Sequence, residues 1–262
     1  MDCIEALILG IVQGFTEFLP VSSSGHLNIG AALLDVPVTD NLTFAVAVHT
    51  ATVLSTVIVL RREILQLVRS LFRFAWNEET RLIAKLLLSA VPVAVVGLLW
   101  KDRVEEIFSG GLTIVGAMLL LTAALLAFAY YARPRQKEKI TFTDAFIIGV
   151  AQACAVMPGL SRSGATISTG ILLGNRKENI AGFSFLMVLI PILGQCFLDL
   201  AGGGLSSETS TIPFLSLLTG FVAAFVSGFF ACSWMLKLVK KGKLIWFAVY
   251  CAVVGTAVLI FN

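Results

Sequence analysis

The chain has 262 residues, of which 58% are hydrophobic and 13% are charged, and its formal net charge is +3. Soluble domains are about 45–50% apolar and about 25% charged, so this composition excludes an ordinary soluble protein and indicates a polytopic membrane protein. The small net charge gives no reason to expect a nucleic-acid partner.

Six segments are long enough to span a bilayer, which takes about 20 apolar residues. They lie at 42–60, 82–100, 112–132, 181–200, 213–236 and 244–261. Two further apolar regions, 3–35 and 143–174, are broken in the middle. Residues 3–18 would form a helix of about 24 Å, shorter than the ~30 Å hydrocarbon core, before Pro20 and Gly25 interrupt it. Each broken region is therefore predicted to be a re-entrant helix hairpin.

The cationic residues of the loops predict an orientation in the membrane. Lys and Arg concentrate in loops 61–81, 133–142, 174–180 and 237–243, whereas loops 101–111 and 201–212 hold two cations between them. By the positive-inside rule the first four loops are cytoplasmic and the last two are external. This alternation requires the second hairpin to enter from the cytoplasm and the first from outside, with both termini outside.

An internal repeat supports the same arrangement. Residues 5–34 align with 144–173 at an offset of 139, with nine identities in thirty positions, among them a glutamine and the pattern Ser-x-Ser-Gly. Each unit has one hairpin and three spans, and an odd number of spans inverts the second unit. The prediction is one all-α integral membrane domain, 1–262, made of repeats 1–132 and 140–262. Inverted repeats place their site near the midplane, where discontinuous helices meet.

Glu17 and Arg162 are the only charged side chains that this topology places deep in the membrane. An ionisable group there is expensive, so a functional role is the default hypothesis. The alternative is a structural ion pair, although such pairs contribute little net stability. Gln13 lies one turn before Glu17 on the same helix face, so an amide and a carboxylate could meet one ligand or metal ion.

Hydroxyl groups crowd the two breaks. Ser22, Ser23 or Ser24 is suited to cap the second half-helix of the first hairpin. The stretch "PGLSRSGAT" repeats the arrangement in the second hairpin and supplies Ser161, Arg162, Ser163 and Thr166. Two helix N-termini, several hydroxyl donors and one guanidinium would together bind phosphate.

The two histidines receive different interpretations. His26 follows the serines and could act as a general acid or base, or as a nucleophile. Its alternative role is a hydrogen bond to the loop backbone. His49 lacks polar neighbours in the sequence and is interpreted as a packing residue.

The stretches "QGFTEFLPVSSSGH" and "PGLSRSGAT" resemble the two signature regions of the undecaprenyl-diphosphate phosphatases of the bacitracin-resistance type, and the resemblance covers essentially the whole chain. It implies hydrolysis of the C55 polyprenyl diphosphate released in cell-wall synthesis, at a site opening to the outer face of the bacterial plasma (inner) membrane. The family's functional positions fall on Glu17, Ser22, Ser23, His26, Ser161, Arg162, Ser163 and Thr166. Gln13 stands where many members have Glu, which removes one acidic ligand from any metal site.

We therefore expect Arg162 to bind the diphosphate and Glu17 either to ligate Mg²⁺ or Ca²⁺ or to deprotonate a nucleophile. Ser23 is the preferred nucleophile and His26 the alternative. The further phosphate-binding candidates are Gln13, Ser22, Ser24, Ser161, Ser163 and Thr166, and Gln13 is also a metal-ligand candidate beside Glu17. The expected partners are the lipid substrate and membrane lipid, and a homodimer stays open. The rival hypothesis is a transporter that flips anionic lipid without hydrolysis.

Overall fold

The computed structural model describes residues 1–36, 38–100, 111–132, 136–201, 212–240 and 243–261. Within these ranges the chain forms eleven α-helices and no β-strand, which confirms the predicted all-α fold for this part. The helices are α1 (Cys3–Phe18), α2 (Ser23–Leu33), α3 (Val38–Val59), α4 (Arg61–Leu71), α5 (Glu78–Leu99), α6 (Gly111–Tyr131), α7 (Phe142–Cys154), α8 (Arg162–Leu172), α9 (Lys177–Ala201), α10 (Phe214–Lys240) and α11 (Ile245–Phe261).

Four of the described helices, α5, α6, α9 and α10, are long and apolar enough to cross a membrane. Helices α3 and α4 make a fifth span if they are counted together, but the chain bends by 76° between them. The sixth predicted span coincides with α11, whose 17 residues give about 25 Å of helix, less than the ~30 Å core. The chain is a multi-pass membrane protein, and its described residues form four or five spans by length, where the sequence predicted six.

Both predicted hairpins are broken helices. Helix α1 ends at Phe18, as predicted, and α2 begins at Ser23. In the second hairpin, residues 155–161 separate α7 from α8. Gly25, expected to interrupt the helix, instead lies inside α2. A Cβ there would lie only 3.1 Å from the Gly159 Cα, so Gly25 allows the two breaks to approach each other closely.

The first half of each hairpin begins with a reciprocal capping box. The Asp2 side chain accepts hydrogen bonds at the start of α1, and Glu5 accepts one from the Asp2 N–H at 2.7 Å. At the start of α7, Thr141 and Asp144 make the same exchange, with a return bond of 3.1 Å. A capping box satisfies N–H groups that have no partner within the helix.

The second half of each hairpin begins with a serine cap. Ser22 Oγ and Ser161 Oγ each accept a hydrogen bond from the backbone N–H three residues ahead, at 3.3 and 3.0 Å. A second serine hydroxyl lies near each cap. Ser24 Oγ is 3.4 Å from Ser22 Oγ, and Ser163 Oγ is 3.3 Å from Ser161 Oγ. Of the three serines that could cap α2, Ser22 is therefore the one that does so.

Helices α1 and α7 pack closely on helices from the other half of the chain. Helix α1 lies on α10, and α7 lies on α5. Glycines permit both contacts, because a Cβ at Gly14 would overlap α10 and one at Gly149 would overlap the α5 backbone. Helices α6 and α11 also cross closely, with Gly116 and Gly255 next to each other's carbonyl groups. The half-helices that precede the breaks are thus held by direct backbone packing.

Candidate active site

The two helix breaks lie against each other. Arg162, at the start of α8, donates from Nη2 to Glu17 Oε1 at 3.4 Å. The Ser163 hydroxyl donates to the Leu19 carbonyl oxygen, also at 3.4 Å. The structure therefore brings together the carboxylate and the guanidinium that the sequence singled out, although 145 positions separate them.

Glu17 is the centre of this contact, and its side chain is only 9% exposed. Its Oε2 accepts a hydrogen bond from Ser23 Oγ at 2.6 Å and another from Gln13 Nε2 at 2.9 Å. The Nε2 of His49 lies 3.6 Å from the same oxygen. Two hydrogen bonds and the nearby guanidinium and imidazole offset the cost of burying a carboxylate.

His49 is the site residue that the sequence analysis missed. Its Nδ1 is 2.7 Å from the Ala45 carbonyl oxygen, so Nδ1 carries a proton and Nε2 is left facing Glu17. The interpretation of His49 as a packing residue did not predict this contact with the Glu17 carboxylate and is wrong on that point. Thr52 and Thr56 follow at spacings of three and four on the same face of α3. That polar stripe within a predicted span was the available signal.

His26 contacts groups other than Glu17 and Ser23. Its Nδ1 is 2.8 Å from the Ser22 carbonyl oxygen, and its Nε2 is 2.8 Å from the Tyr250 hydroxyl. The imidazole also stacks on the Tyr250 ring, with the centroids 5.6 Å apart. Both ring nitrogens are thus hydrogen-bonded, and the side chain connects α2 with α11.

The remaining phosphate-binding candidates divide into two groups. Ser22, Ser24 and Ser161 belong to the helix caps, where Ser22 and Ser161 are buried. Ser163 and Thr166 instead line a cavity beside Arg162. The Thr166 hydroxyl donates to the Arg162 carbonyl oxygen at 2.9 Å and lies 2.6 Å from the Ser184 hydroxyl on α9.

That cavity lies between α3 and α9 and is partly open to the surroundings. Its polar walls are formed by Glu17, Thr52, Thr56, Arg162, Ser163, Thr166 and Ser184, and its apolar walls by Phe18, Val53, Phe185, Val188, Leu189 and Ile192. The Arg162 side chain is 30% exposed, so its guanidinium can still meet an anion. Ligand sites combine mostly apolar walls with a few polar groups, and the lining of this cavity suits an amphipathic anion.

Whether the site could hold the expected divalent cation depends on the oxygen atoms that remain available to ligate it. Glu17 Oε1 has only the 3.4 Å contact with Arg162, and Gln13 Oε1 has no hydrogen-bond partner among the described residues. The described part of the chain contains no group of three or more His, Cys, Asp or Glu side chains that could hold a metal ion. Mg²⁺ is usually held by one or two carboxylates together with substrate phosphates and water. The residues therefore fit an ion that accompanies a diphosphate rather than a resident metal centre.

Comparison with known proteins shows the family of the chain. The profile of the family described as bacitracin resistance protein BacA matches residues 6–257. The chain belongs to the BacA family. A relative from Bacteroides fragilis named undecaprenyl-diphosphatase is 58% identical over 266 residues, covering 100% of this chain and 99% of the relative. Relatives of the same name from Parabacteroides distasonis and Carboxydothermus hydrogenoformans are 60% and 38% identical, over 97% and 100% of this chain and 96% and 98% of their own lengths.

The family resemblance inferred from two short motifs is thus confirmed over the full length. In this BacA family member, the two motifs are residues 13–26 and 158–166. They overlap the two helix breaks, which are residues 19–22 and 155–161. The residues that carry the resemblance are therefore the ones that surround the Glu17–Arg162 contact.

Proposed function

We propose that this BacA family member hydrolyses undecaprenyl diphosphate to undecaprenyl phosphate and inorganic phosphate, which recycles the carrier lipid of cell-wall synthesis. The observation that supports this most directly is the cavity whose lining combines Glu17, Arg162 and five hydroxyl groups with apolar side chains, most of them from α9. A lipid diphosphate has the same division between an anionic head and an apolar chain. Full-length relatives named for this activity support the proposal.

In the proposed reaction, Arg162 binds the diphosphate and the Ser23 oxygen attacks the terminal phosphorus. Ser23 is 8% exposed and lies next to the cavity-lining Glu17 without lining the cavity itself, so the terminal phosphate has to reach past Glu17 to meet it. Glu17, which already accepts the Ser23 hydrogen bond at 2.6 Å, takes up the proton. The bond to the bridging oxygen breaks, and undecaprenyl phosphate leaves with that proton. Water then attacks the phosphorus of phosphoserine, and Glu17 takes its proton and returns it to Ser23 Oγ as the Oγ–P bond breaks and inorganic phosphate leaves. The N-termini of α2 and α8 and the guanidinium stabilise the charge on the transferred group.

Ser23 is proposed as the nucleophile in preference to His26. Its hydroxyl meets a carboxylate, whereas both His26 nitrogens are occupied by the Ser22 carbonyl and the Tyr250 hydroxyl. His26 is proposed to hold α2 against α11. Ser163 and Thr166 are proposed to contact the phosphates, because they line the cavity. The capping serines Ser22, Ser24 and Ser161 are proposed to orient the helix N-termini.

The alternative role proposed for Glu17 is to hold, together with Gln13, a divalent cation that arrives with the diphosphate. Mg²⁺ or Ca²⁺ there would neutralise part of the phosphate charge. Gln13 also donates to Glu17 at 2.9 Å, so it has a second role in holding the carboxylate in place.

Two inverted repeats, 1–132 and 140–262, are proposed to build six spans and two re-entrant hairpins in the bacterial inner membrane. Three features that occur once in each repeat support this. They are the packing of the first half-helix on a long helix (α1 on α10, and α7 on α5), the capping box that begins that half-helix, and the serine cap that begins the second half-helix. Gly116 and Gly255, which contact each other, differ in number by the same 139 as the sequence repeat. Both termini and the site are proposed to face the outer side.

Cysteine labelling tests this orientation. In a chain whose five native cysteines are replaced, Ser206→Cys should react with impermeant reagents in intact cells, and Glu138→Cys should not. Residue 206 lies outside the described residues, whereas Glu138 is exposed in the structure. Labelling at 138 in intact cells would contradict the proposed inversion.

Phosphate release by the purified protein in detergent tests the reaction itself. A detergent micelle has no second compartment, so release from undecaprenyl diphosphate supports hydrolysis and excludes flipping as the sole activity. The same assay with a chelator reports the need for a divalent cation. Light scattering on the same sample distinguishes a monomer from a homodimer. The flipping alternative is not favoured, because the relatives carry the name of a diphosphatase.

A further inference from the structure

Helix α4 (Arg61–Leu71) follows α3 at a bend of 76°, and α5, which is long enough to cross the membrane, begins seven residues after α4 ends. One side of α4 packs on the protein, because Ser70 is buried and Ile64 and Leu67 contact the main hydrophobic cluster. The bend turns α4 away from the line of α3, which suits a helix at the level of the lipid headgroups.

Next to that side, α4 exposes a row of apolar residues. Leu65, Val68 and Leu71 are all exposed and follow one another at spacings of three, so they form one stripe. The chain beyond the helix adds Phe74, which is 94% exposed, and Trp76, which is 62% exposed. A contiguous apolar surface of this kind marks a protein or membrane interaction site.

Exposed arginines flank the stripe. Arg62 and Arg69 are seven residues apart, on the same side of α4 and next to Leu65, and neither has an ion-pair partner among the described residues. Arg73 follows directly after the helix and is also exposed. A helix with an apolar stripe, a cationic flank and aromatic residues at one end is typical of a segment lying in the membrane interface.

We propose that α4 and residues 72–76 form an interfacial platform that binds anionic phospholipid headgroups through Arg62, Arg69 and Arg73. The apolar stripe and Trp76 enter the boundary between headgroups and acyl chains. The cytoplasmic leaflet carries the anionic lipid that attracts basic segments close to a span. The assignment to that leaflet rests on the proposed topology, whereas the lipid contact rests on α4 alone and is independent of the proposed hydrolysis.

Lipid binding to the purified full-length protein tests the cationic side. Native mass spectrometry would count phosphatidylglycerol and phosphatidylcholine bound by the wild type and by Arg62→Gln/Arg69→Gln/Arg73→Gln. A matched control, Arg176→Gln/Lys177→Gln/Lys243→Gln, removes three cations from other loops. We expect the wild type and the control to prefer phosphatidylglycerol by on the order of tenfold, and the α4 variant to lose that preference. An α4 variant that keeps the preference, or a control that loses it equally, would overturn the proposal.

The position of Trp76 tests the apolar side. In a Trp100→Phe/Trp234→Phe/Trp246→Phe background, Trp76 fluorescence would be recorded in vesicles of phosphatidylcholine and phosphatidylglycerol at 3:1. We expect lipids with brominated acyl chains to quench it severalfold more than aqueous acrylamide does, and Leu65→Ser/Val68→Ser to reduce that ratio. Quenching by acrylamide alone would place this surface in water, where a soluble protein would be the occupant, and would refute the lipid assignment.

Discussion

The Ser23 hydroxyl donates a 2.6 Å hydrogen bond to Glu17 Oε2 across the break between two helices. Such a length is typical of a hydroxyl bonded to a charged carboxylate. Glu17 lies in the last turn of α1, and Ser23 is the first residue of α2, so the irregular segment between them returns the chain to its own helix end. The proposed nucleophile and its proton acceptor are thus in place before substrate arrives.

Ser23→Ala should lower the turnover number for undecaprenyl diphosphate by at least about 1,000-fold, because it removes the oxygen that would attack phosphorus. Phosphate release by the purified variant measures this. Ser233→Ala is the control, since the Ser233 hydroxyl donates only to a carbonyl of its own helix at 2.9 Å. A Ser23→Ala protein with near-normal turnover would exclude Ser23 as nucleophile.

Arg162→Lys should lose activity almost as completely as Arg162→Ala. The lysine keeps the positive charge, but it has neither the planar fork that binds phosphate oxygens nor the reach to Glu17 Oε1. We expect a loss of roughly 100-fold or more in kcat/KM, with helical content by circular dichroism unchanged. Full activity in the lysine variant would mean that charge alone suffices at this position.

His49→Leu should reduce activity by about tenfold, and His49→Gln should retain most of it, because glutamine keeps a polar group next to Glu17 and leucine does not. Separate measurement of kcat and KM is informative here. A role in holding Glu17 affects kcat, whereas a role in packing would affect thermal stability in both variants. Unchanged kcat in the leucine variant would show that the 3.6 Å contact is incidental.

Ile192→Trp should raise KM for undecaprenyl diphosphate by about tenfold, because the larger side chain fills the apolar part of the cavity. Leu193→Trp is the matched control, since Leu193 is the next residue of α9 and is exposed instead of lining the cavity. Initial rates over a range of substrate concentrations separate KM from kcat. Equal effects in the two variants would place the prenyl chain elsewhere.

The broken helices were readable from the sequence because their causes are local. A short apolar run, a proline and a serine cap act within a few residues, and α1 ends at the predicted Phe18. The contact between Glu17 and Arg162 followed from the scarcity of charge in an apolar chain together with the repeat. Both arguments need no knowledge of side-chain directions.

Other features depend on directions that the sequence does not specify. His26 follows the serines closely, yet its ring turns to Tyr250 on a helix more than two hundred residues later. His49 has apolar neighbours in the sequence, but α3 places it over Glu17. The segment 61–81 was predicted only as a cationic loop, and α4 was missed because its 11 residues are too few to suggest a span.

The four groups around Glu17 are synthesised at very different times. Gln13 precedes it, and Ser23 and His49 follow soon after, but Arg162 comes 145 residues later. At about 5–20 residues per second, the ribosome needs roughly 7 to 30 s to make that stretch. During this interval the carboxylate can draw only on Gln13, on Ser23 and, once it is made, on His49. The first half of the chain therefore has to accommodate the acid without its guanidinium, which arrives only with the second hairpin.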